Sequence, residues 1–341
     1  MQTWQLEKLG GALRRVETAI PEARPGTVVV RVEAVALLTY MKAYVEGRLA
    51  AYSPPDRPFT PGTNAIATIH AVGRDVYLQP GTRVYVSPHL VASENIPEPA
   101  QILLGLTALS PAAKRLQADW PDGLLADYAV VPARLVTPCD LSLPPAQLAI
   151  TGRFAVPYGG LVRGRLVAGE TVVVTGATGA FGGAAVHVAL ALGAGKVIAA
   201  GRNRDQLARL AGPRVETVVL TGEQDQLRDV RAHLAFDMVG NATDPRATLA
   251  ALYSLRRNGR LVLMGSMSAP LPLSYSDVLR NNWEILGQFM YAPDAFRNLF
   301  DLARVGLLDL GAVATRSFPM AELPAAMEAA ASTRDAIVMV Q

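Results

Sequence analysis

The strongest chemical pattern in this 341-residue chain lies at residues 171–204. A β-branched run leads into Gly176, Gly179 and Gly182, then a small-residue stretch follows, and a second apolar run lies at 197–200. This order predicts strand, glycine turn, helix and strand. Glycine allows a tight turn and close approach of a pyrophosphate, towards which the helix would direct free N–H groups. A turn without a ligand would not explain three glycines at three-residue spacing. The pattern therefore predicts a dinucleotide site, and its candidate cofactor-binding residues are Gly176, Thr178, Gly179, Ala180, Phe181 and Gly182.

The residues after the second strand indicate which dinucleotide is bound. An acidic side chain there would accept hydrogen bonds from the adenosine 2′-hydroxyl and favour NAD. This chain instead has Gly201, Arg202, Asn203 and Arg204. Two guanidinium groups suit a 2′-phosphate, so the sequence predicts NADPH. The alternative is that both arginines are solvated and Asn203 caps the next helix.

Composition narrows the class of protein. A formal charge of +3 without a basic run argues against a nucleic-acid partner. The single cysteine, Cys139, excludes an intrachain disulfide framework and a thiolate-rich metal site. The first residues do not resemble a signal peptide, and polar residues interrupt the most apolar window, 184–200, so no membrane span is expected. We expect a cytoplasmic enzyme with a small-molecule substrate.

The coarse organisation predicts an α/β protein with two domains. Short strands at 27–36, 65–72, 81–87 and 126–132 indicate a β-rich, barrel-like first domain, with partial helix expected around 100–116. Strands then alternate with helices at 171–175, 197–200, 217–220, 236–239, 261–264 and 284–289. That alternation predicts a doubly wound Rossmann domain with a six-stranded parallel sheet. Further helices are predicted at 246–257, 294–305 and 321–332, and a last strand at 336–340.

Several blocks resemble the medium-chain dehydrogenase/reductase superfamily. They are Pro61-Gly62 before residues 65–73, Gly81-Thr82-Arg83-Val84, Ala126-Asp127-Tyr128, the glycine turn and residues 236–265. The resemblance implies a GroES-like barrel domain at 1–152 and 292–341 and a Rossmann domain at 153–291. It also implies a homodimer, cofactor contacts from Gly265 and Ser266, and a place near the nicotinamide for Phe289. Asn241 and Ser266 follow the fourth and fifth Rossmann strands, where such sheets bind ligands, so we expect both to contact the cofactor. A helix cap or turn role is the alternative for these two residues.

The metal positions of that superfamily are altered. Zinc-dependent members hold a catalytic metal with a Cys, a His-Glu pair and a second Cys or Asp. The corresponding residues here are Leu38-Thr39, Thr63-Asn64 and Gly152-Arg153, and these are not good zinc ligands. The structural zinc lobe also lacks cysteines. The chain therefore resembles the zinc-independent branch of quinone oxidoreductases and enoyl or enone reductases.

The four histidines do not replace these ligands. His70 is expected in mid-strand, His187 in the Rossmann helix, and His233 in or beside a later helix, while His89 stands alone. We expect structural or surface roles for them.

Candidate substrate neighbours lie in the segment corresponding to the first zinc ligand. We place Tyr44 and Tyr52 next to the substrate or nicotinamide, with Tyr40 and Lys42 behind them. Core packing is an equally good explanation for each tyrosine.

Loss of the metal changes the expected reaction. Without a Lewis acid, hydride transfer is easiest where charge can delocalise, as in an enone, enoyl group or quinone. The leading hypothesis is an NADPH-dependent reductase of such acceptors. A metal-free NADP-dependent alcohol or carbonyl oxidoreductase and a weakly catalytic NADPH-binding redox module remain open.

Overall fold

The structure is a computed structural model that describes residues 1–333 and 335–341. The chain forms two compact units. The first unit comprises residues 1–152 and 310–341, and the second comprises residues 153–309. The predicted division into 1–152 with 292–341 and 153–291 stays a prediction.

The regular structure in the N-terminal segment of the first unit consists mainly of short strands. Its strands are β1 (Gln2–Leu6), β2 (Leu13–Glu17), β3 (Thr27–Ala36), β4 (Asn64–Val72), β5 (Arg83–Val86), β6 (His89–Val91), β7 (Gln101–Leu103), β8 (Thr107–Ala108), β9 (Tyr128–Pro132) and β10 (Val136–Pro138). Short helices are α1 (Met41–Val45), α2 (Lys114–Asp119) and α3 (Pro145–Ala149).

The second unit alternates helix and strand. Helix α4 (Gly152–Arg163) precedes β11 (Thr171–Thr175), α5 (Ala180–Ala191), β12 (Lys196–Gly201), α6 (Arg204–Ala208), β13 (Val215–Val219), β14 (Ala232–Asp237), α7 (Arg246–Tyr253), β15 (Leu255–Leu263), α8 (Tyr275–Asn281), β16 (Glu284–Gly287) and α9 (Ala295–Arg304). The chain then returns to the first unit with β17 (Thr315–Pro319), α10 (Leu323–Ser332) and β18 (Ala336–Val340).

The main sheet of the first unit is built around β3. Its strand order is β10-β5-β4-β3-β18-β17, with β9 also paired to β3. Strand β3 is almost continuously apolar because most of its side chains are buried on both faces. The C-terminal strand β18 pairs antiparallel with β3, so the end of the chain completes this sheet.

The sheet of the second unit has the order β13-β12-β11-β14-β15-β16, with every neighbouring pair parallel. The strand order reverses between β11 and β14, and this switch point is where doubly wound sheets bind ligands. Across residues 153–309, which are all described, this confirms the predicted six-stranded parallel Rossmann sheet.

Three sequence-based expectations need correction. The helix expected at 246–257 ends at Tyr253, because the buried Leu255 already pairs with Ala232 as the first residue of β15. Residues Gln101–Leu103 and Thr107–Ala108 form two antiparallel strands joined by a turn, and helical structure in this region begins only at Pro111. His233 lies in strand β14.

Helices long and apolar enough to cross a bilayer are absent from the described part of the chain.

Candidate functional site

The glycine turn follows β11 directly and leaves no room for side chains at two positions. Gly176 has a φ of +74°, and a Cβ there would lie 2.7 Å from the backbone of Met238. A Cβ on Gly182 would lie 2.0 Å from the carbonyl oxygen of Gly176. Helix α5 therefore rests on the turn at a distance that only glycine permits.

The N-terminus of α5 forms the polar surface of this turn. Gly179 is the N-cap residue and contributes no side-chain cap hydrogen bond. The first-turn N–H groups of a helix lack acceptors within the helix, and here they carry the positive end of a twelve-residue dipole. Thr178, Ala180 and Phe181 are partly exposed around the turn. The arrangement fits a pyrophosphate group, as the sequence predicts.

The end of β12 lies beside the same turn. A Cβ on Gly201 would be 2.6 Å from Cγ2 of Thr178, so the two segments are in close contact. Arg202 and Arg204 follow with exposed side chains. The Asn203 side chain caps α6 by accepting a hydrogen bond from the Gln206 N–H at 3.0 Å. The cap does not engage either guanidinium group, so capping by Asn203 and phosphate binding by the arginines are compatible.

Two loops at the carboxyl edge of the sheet are tied together. The Asn241 N–H donates to Oγ of Ser266 at 2.8 Å, and the Ser266 N–H donates to the Val239 carbonyl at 3.0 Å. Asn241 has a φ of +52°, and a Cβ on Gly265 would lie 2.5 Å from the same Val239 carbonyl. The structure thus brings three predicted cofactor residues, Asn241, Gly265 and Ser266, into one exposed cluster.

Sequence reasoning missed a buried carboxylate beneath these loops. Asp237, the last residue of β14, accepts hydrogen bonds from the hydroxyls of Thr175 and Thr248, each at 2.9 Å, and from the Val239 N–H at 3.2 Å. Burial raises the pKa of this carboxyl, although the three hydrogen bonds act in the opposite direction. Asp237 therefore links β11, α7 and the loop after β14. Its place directly before Met238-Val239-Gly240 is the signal that could have identified it.

Three tyrosines of the first unit form an aromatic cluster. The ring of Tyr52 lies 5.7 Å from that of Tyr40 and 5.5 Å from that of Tyr44. Tyr44 is fully buried, and its hydroxyl donates to the Leu106 carbonyl at 2.5 Å. Burial raises the pKa of Tyr44 and, together with the neighbouring Tyr52, that of Tyr40. The geometry favours a packing role for Tyr44 and leaves the partly exposed Tyr40 and Tyr52 as candidates for substrate contact.

The two remaining predicted site residues, Lys42 and Phe289, lie at the protein surface. Lys42 forms ion pairs with Glu46 and, at 3.2 Å, with Glu328, and its hydrogen bonds to these carboxylates raise its pKa. Its ammonium group is thus held on the surface of the first unit. Phe289 is 59% exposed and follows β16.

The residues at the zinc positions of the superfamily form a hydrogen-bonded group. The fully buried Tyr85 donates from its hydroxyl to Oδ1 of Asn64 at 3.0 Å. A Cβ on Gly152 would lie 2.5 Å from that Oδ1 and 2.7 Å from the Tyr85 hydroxyl. A ligand side chain at position 152 has no space, and an amide and a phenol are poor zinc donors. These residues do not fit a catalytic zinc ion.

The histidines lie in separate surroundings. His89 contacts Oε1 of Gln101 at 3.0 Å, and Nδ1 of His233 accepts a hydrogen bond from the Thr171 N–H at 3.1 Å. Burial lowers the pKa of both His89 and His187. Within residues 1–333 and 335–341, no three His, Cys, Asp or Glu side chains are grouped so as to hold a metal ion.

Two family models match the chain, one in each compact unit. The model described as "Alcohol dehydrogenase GroES-like domain" matches residues 24–143, and that described as "Zinc-binding dehydrogenase" matches residues 180–304. The chain belongs to the medium-chain dehydrogenase/reductase superfamily. This superfamily member is an oxidoreductase of the alcohol dehydrogenase type, and the predicted combination of a GroES-like domain with a Rossmann domain is confirmed.

Similar proteins cover nearly the whole chain. Sorbitol dehydrogenase of Bacillus subtilis (strain 168) is 27% identical over 329 residues, which are 93% of this chain and 90% of that protein. A short chain alcohol dehydrogenase from E. coli CFT073, complexed with NADH, aligns with a TM-score of 0.83 and 21% identity over 100% of this chain and 99% of that one. A structure from Sinorhizobium meliloti 1021, bound to NADP, aligns with a TM-score of 0.79 and 19% identity over 100% of this chain and 99% of that one. At these identities the structural likeness bears on the fold alone.

Proposed function

We propose that this oxidoreductase uses NADPH to reduce a conjugated carbonyl compound, an enone, enoyl compound or quinone, without a catalytic zinc ion. The observation that carries the proposal is at Gly152. The space that a ligand side chain would need is filled by Oδ1 of Asn64 and the hydroxyl of Tyr85. A hydrogen-bonded amide and phenol therefore occupy the space of a metal ligand.

The choice of acceptor follows from how charge is stabilised. Oxidation of a simple alcohol develops an alkoxide, which a zinc ion stabilises as a Lewis acid. Hydride addition to an enone sends the charge to an enolate oxygen, and in a quinone the charge spreads over the ring. Hydrogen-bond donors can stabilise such delocalised anions. The cofactor supplies the hydride, and the protein supplies position and electrostatics.

The preference for NADPH rests on the end of β12. Arg202 and Arg204 expose their guanidinium groups there, and the adjacent Gly201 carries no carboxylate to repel a 2′-phosphate. Arginine pairs with phosphate through two parallel hydrogen bonds, which lysine cannot match.

A second candidate is an NADP-dependent alcohol or polyol dehydrogenase that works without metal. The observation that favours it is the similarity to the Bacillus subtilis sorbitol dehydrogenase along 93% of this chain. The two candidates differ in their substrates and not in their cofactor.

A substrate panel tests the proposal. Purified protein would be incubated with NADPH and cyclohex-2-enone, a crotonyl thioester, a benzoquinone or cyclohexanone, and with NADP⁺ and sorbitol. NADH and NAD⁺ serve as the cofactor controls. We expect turnover of the conjugated acceptors and little with cyclohexanone or sorbitol. Oxidation of sorbitol without enone reduction would support the second candidate and contradict the first.

The homodimer implied by the resemblance stays a proposal. Strand β16 lies at the edge of the second unit's sheet, and Tyr275 and Leu279 of the adjacent α8 are 82% and 61% exposed. An edge strand of this kind can pair with a second copy across a two-fold axis. Light scattering after size-exclusion chromatography distinguishes a dimer from a monomer.

A further inference from the structure

We propose that the side-chain amide of Asn64, oriented by the hydroxyl of Tyr85, donates a hydrogen bond to the substrate oxygen. In this assignment Asn64 is a catalytic residue and Tyr85 is a positioning residue. The inference rests on the proposed reduction of a conjugated carbonyl compound, and it names the group that takes over the role of a metal.

The orientation of the amide follows from its buried partner. The Tyr85 hydroxyl donates to Oδ1 of Asn64 at 3.0 Å, and Tyr85 is fully buried in β5. This bond turns the carbonyl end of the amide towards the interior. The NH₂ end consequently points away from Tyr85, and it carries two N–H donors.

One of these two donors remains for a ligand. Nδ2 of Asn64 donates to Oγ1 of the buried Thr63 at 3.2 Å, a long hydrogen bond that uses a single N–H. Among the described residues, the second N–H has no further acceptor in the hydrogen bonds of Asn64. Asn64 is partly exposed, unlike Thr63 and Tyr85, and the proposal requires this second N–H to belong to its exposed part.

The backbone at position 152 maintains this geometry. A Cβ there would overlap both Oδ1 of Asn64 and the Tyr85 hydroxyl, at 2.5 and 2.7 Å. The glycine therefore permits the amide and the phenol to meet. Glycine at position 152 therefore has two effects. It removes the side chain that would bind zinc, and it leaves the space in which Tyr85 orients the Asn64 amide.

Reduction of an enone consumes a hydride and a proton. Bound NADPH would supply a hydride to the β-carbon of an enone, the electron pair of the C=C bond would shift, and negative charge would develop on the carbonyl oxygen. The Asn64 N–H stabilises this oxygen and keeps its proton, while the α-carbon takes a proton from water. The enone is reduced and NADPH is oxidised to NADP⁺.

Kinetics of three variants test the assignment. Asn64→Ala is expected to lower kcat for cyclohex-2-enone by about 100-fold, the typical effect of removing one oxyanion donor. Asn64→Asp keeps the shape and the bond from Tyr85 but removes both N–H donors, so it should lose at least as much. Tyr85→Phe should cost about 10-fold in kcat, since the donor stays but is no longer oriented. NADPH affinity should not change in any of them.

Two further variants distinguish a catalytic role of Asn64 from a general disturbance of the folded structure. Tyr128→Phe changes another tyrosine of the same sheet, on β9, and should leave kcat at the wild-type value. The double variant Asn64→Ala with Tyr85→Phe should be no slower than Asn64→Ala alone, because the two residues act as a unit. Retention of kcat by Asn64→Ala and Asn64→Asp would overturn the proposal.

A binding measurement does not depend on turnover. The side-chain amide signal of Asn64, identified by its absence in Asn64→Ala, would be followed by NMR in a complex with NADP⁺ and cyclohex-2-enone. NADP⁺ has no hydride to give, so the complex does not react. We expect the signal to move on addition of the enone in the wild type and to move less in Tyr85→Phe.

The outcomes distinguish the inference from the proposed function. A shift without turnover would contradict the proposed reaction and support the donor assignment. Turnover that Asn64→Ala leaves unchanged would support the reaction and overturn the assignment. Absence of both turnover and shift would overturn both.

Discussion

Replacing Gly182 by alanine tests the dinucleotide turn most sharply. The new Cβ would lie 2.0 Å from the carbonyl oxygen of Gly176, and ordinary contact begins at 3.4 Å. Helix α5 and the turn would have to separate by about 1.4 Å, the difference between these distances. The atom that must move is backbone, so no side-chain rotation can relieve the overlap.

The expected size of the effect follows from this displacement. Overpacking of this kind destabilises proteins by about 1–3 kcal/mol. The same movement shifts the first-turn N–H groups of α5 away from the pyrophosphate by about half the length of a hydrogen bond. We expect the Kd for NADPH to rise by at least about 10-fold, which corresponds to about 1.4 kcal/mol.

The neighbouring glycine supplies a matched control. A Cβ on Gly183 would lie 3.4 Å from the Ala177 carbonyl, an ordinary contact, and the residue is in the same helix. Gly183→Ala should leave NADPH binding unchanged and stabilise the protein by about 0.5–1 kcal/mol through helix propensity. NADPH fluorescence titration and urea unfolding measure both quantities. Wild-type NADPH affinity in Gly182→Ala would refute the placement of the cofactor at this turn.

Three further predictions concern other residues. Arg202→Ala should raise the Kd for NADPH by about 10–100-fold and leave the Kd for NADH nearly unchanged, because it removes a charge-assisted bond to the 2′-phosphate; equal losses for both cofactors in fluorescence titrations would contradict this. The raised pKa of Asp237 means that folding favours its protonated form, so the stabilisation from this group is complete below its ordinary pKa and is lost as the pH rises through the raised value. Relative to Asp237→Asn, the wild type should therefore lose unfolding free energy as the pH rises above the ordinary aspartate pKa of about 4, and urea denaturation that shows the opposite trend would disprove the sign. Tyr44→Phe should lower the unfolding free energy by about 1–3 kcal/mol, because the Leu106 carbonyl loses its partner, and should leave kcat at the wild-type value; a large loss of kcat would instead support substrate contact by Tyr44.

The sequence was most informative where a local pattern has one physical meaning. The glycine turn, the parallel sheet and the cap at Asn203 follow from backbone freedom, apolar periodicity and a short polar side chain. Strand β18 was predicted with its observed bounds, since residues 336–340 are all apolar.

The remaining features depend on pairs of residues that are distant along the chain. Asp237 is significant because Thr175 and Thr248 converge on it, and only the fold brings these three side chains together. In the same way, Asn64 becomes a candidate donor only when Tyr85 is seen beside it. The partners lie 62 and 21 residues away from Thr175 and Asn64, respectively, so no local pattern reveals them.

The most direct test of the central claim is the rate of cyclohex-2-enone reduction by NADPH before and after removal of metal. The protein would be dialysed against EDTA, its zinc content measured by mass spectrometry, and the rate then measured again after addition of zinc. We predict turnover that is independent of EDTA, with far less than one zinc ion per chain and no gain on adding zinc. Loss of activity with EDTA and its return with stoichiometric zinc would contradict the proposal.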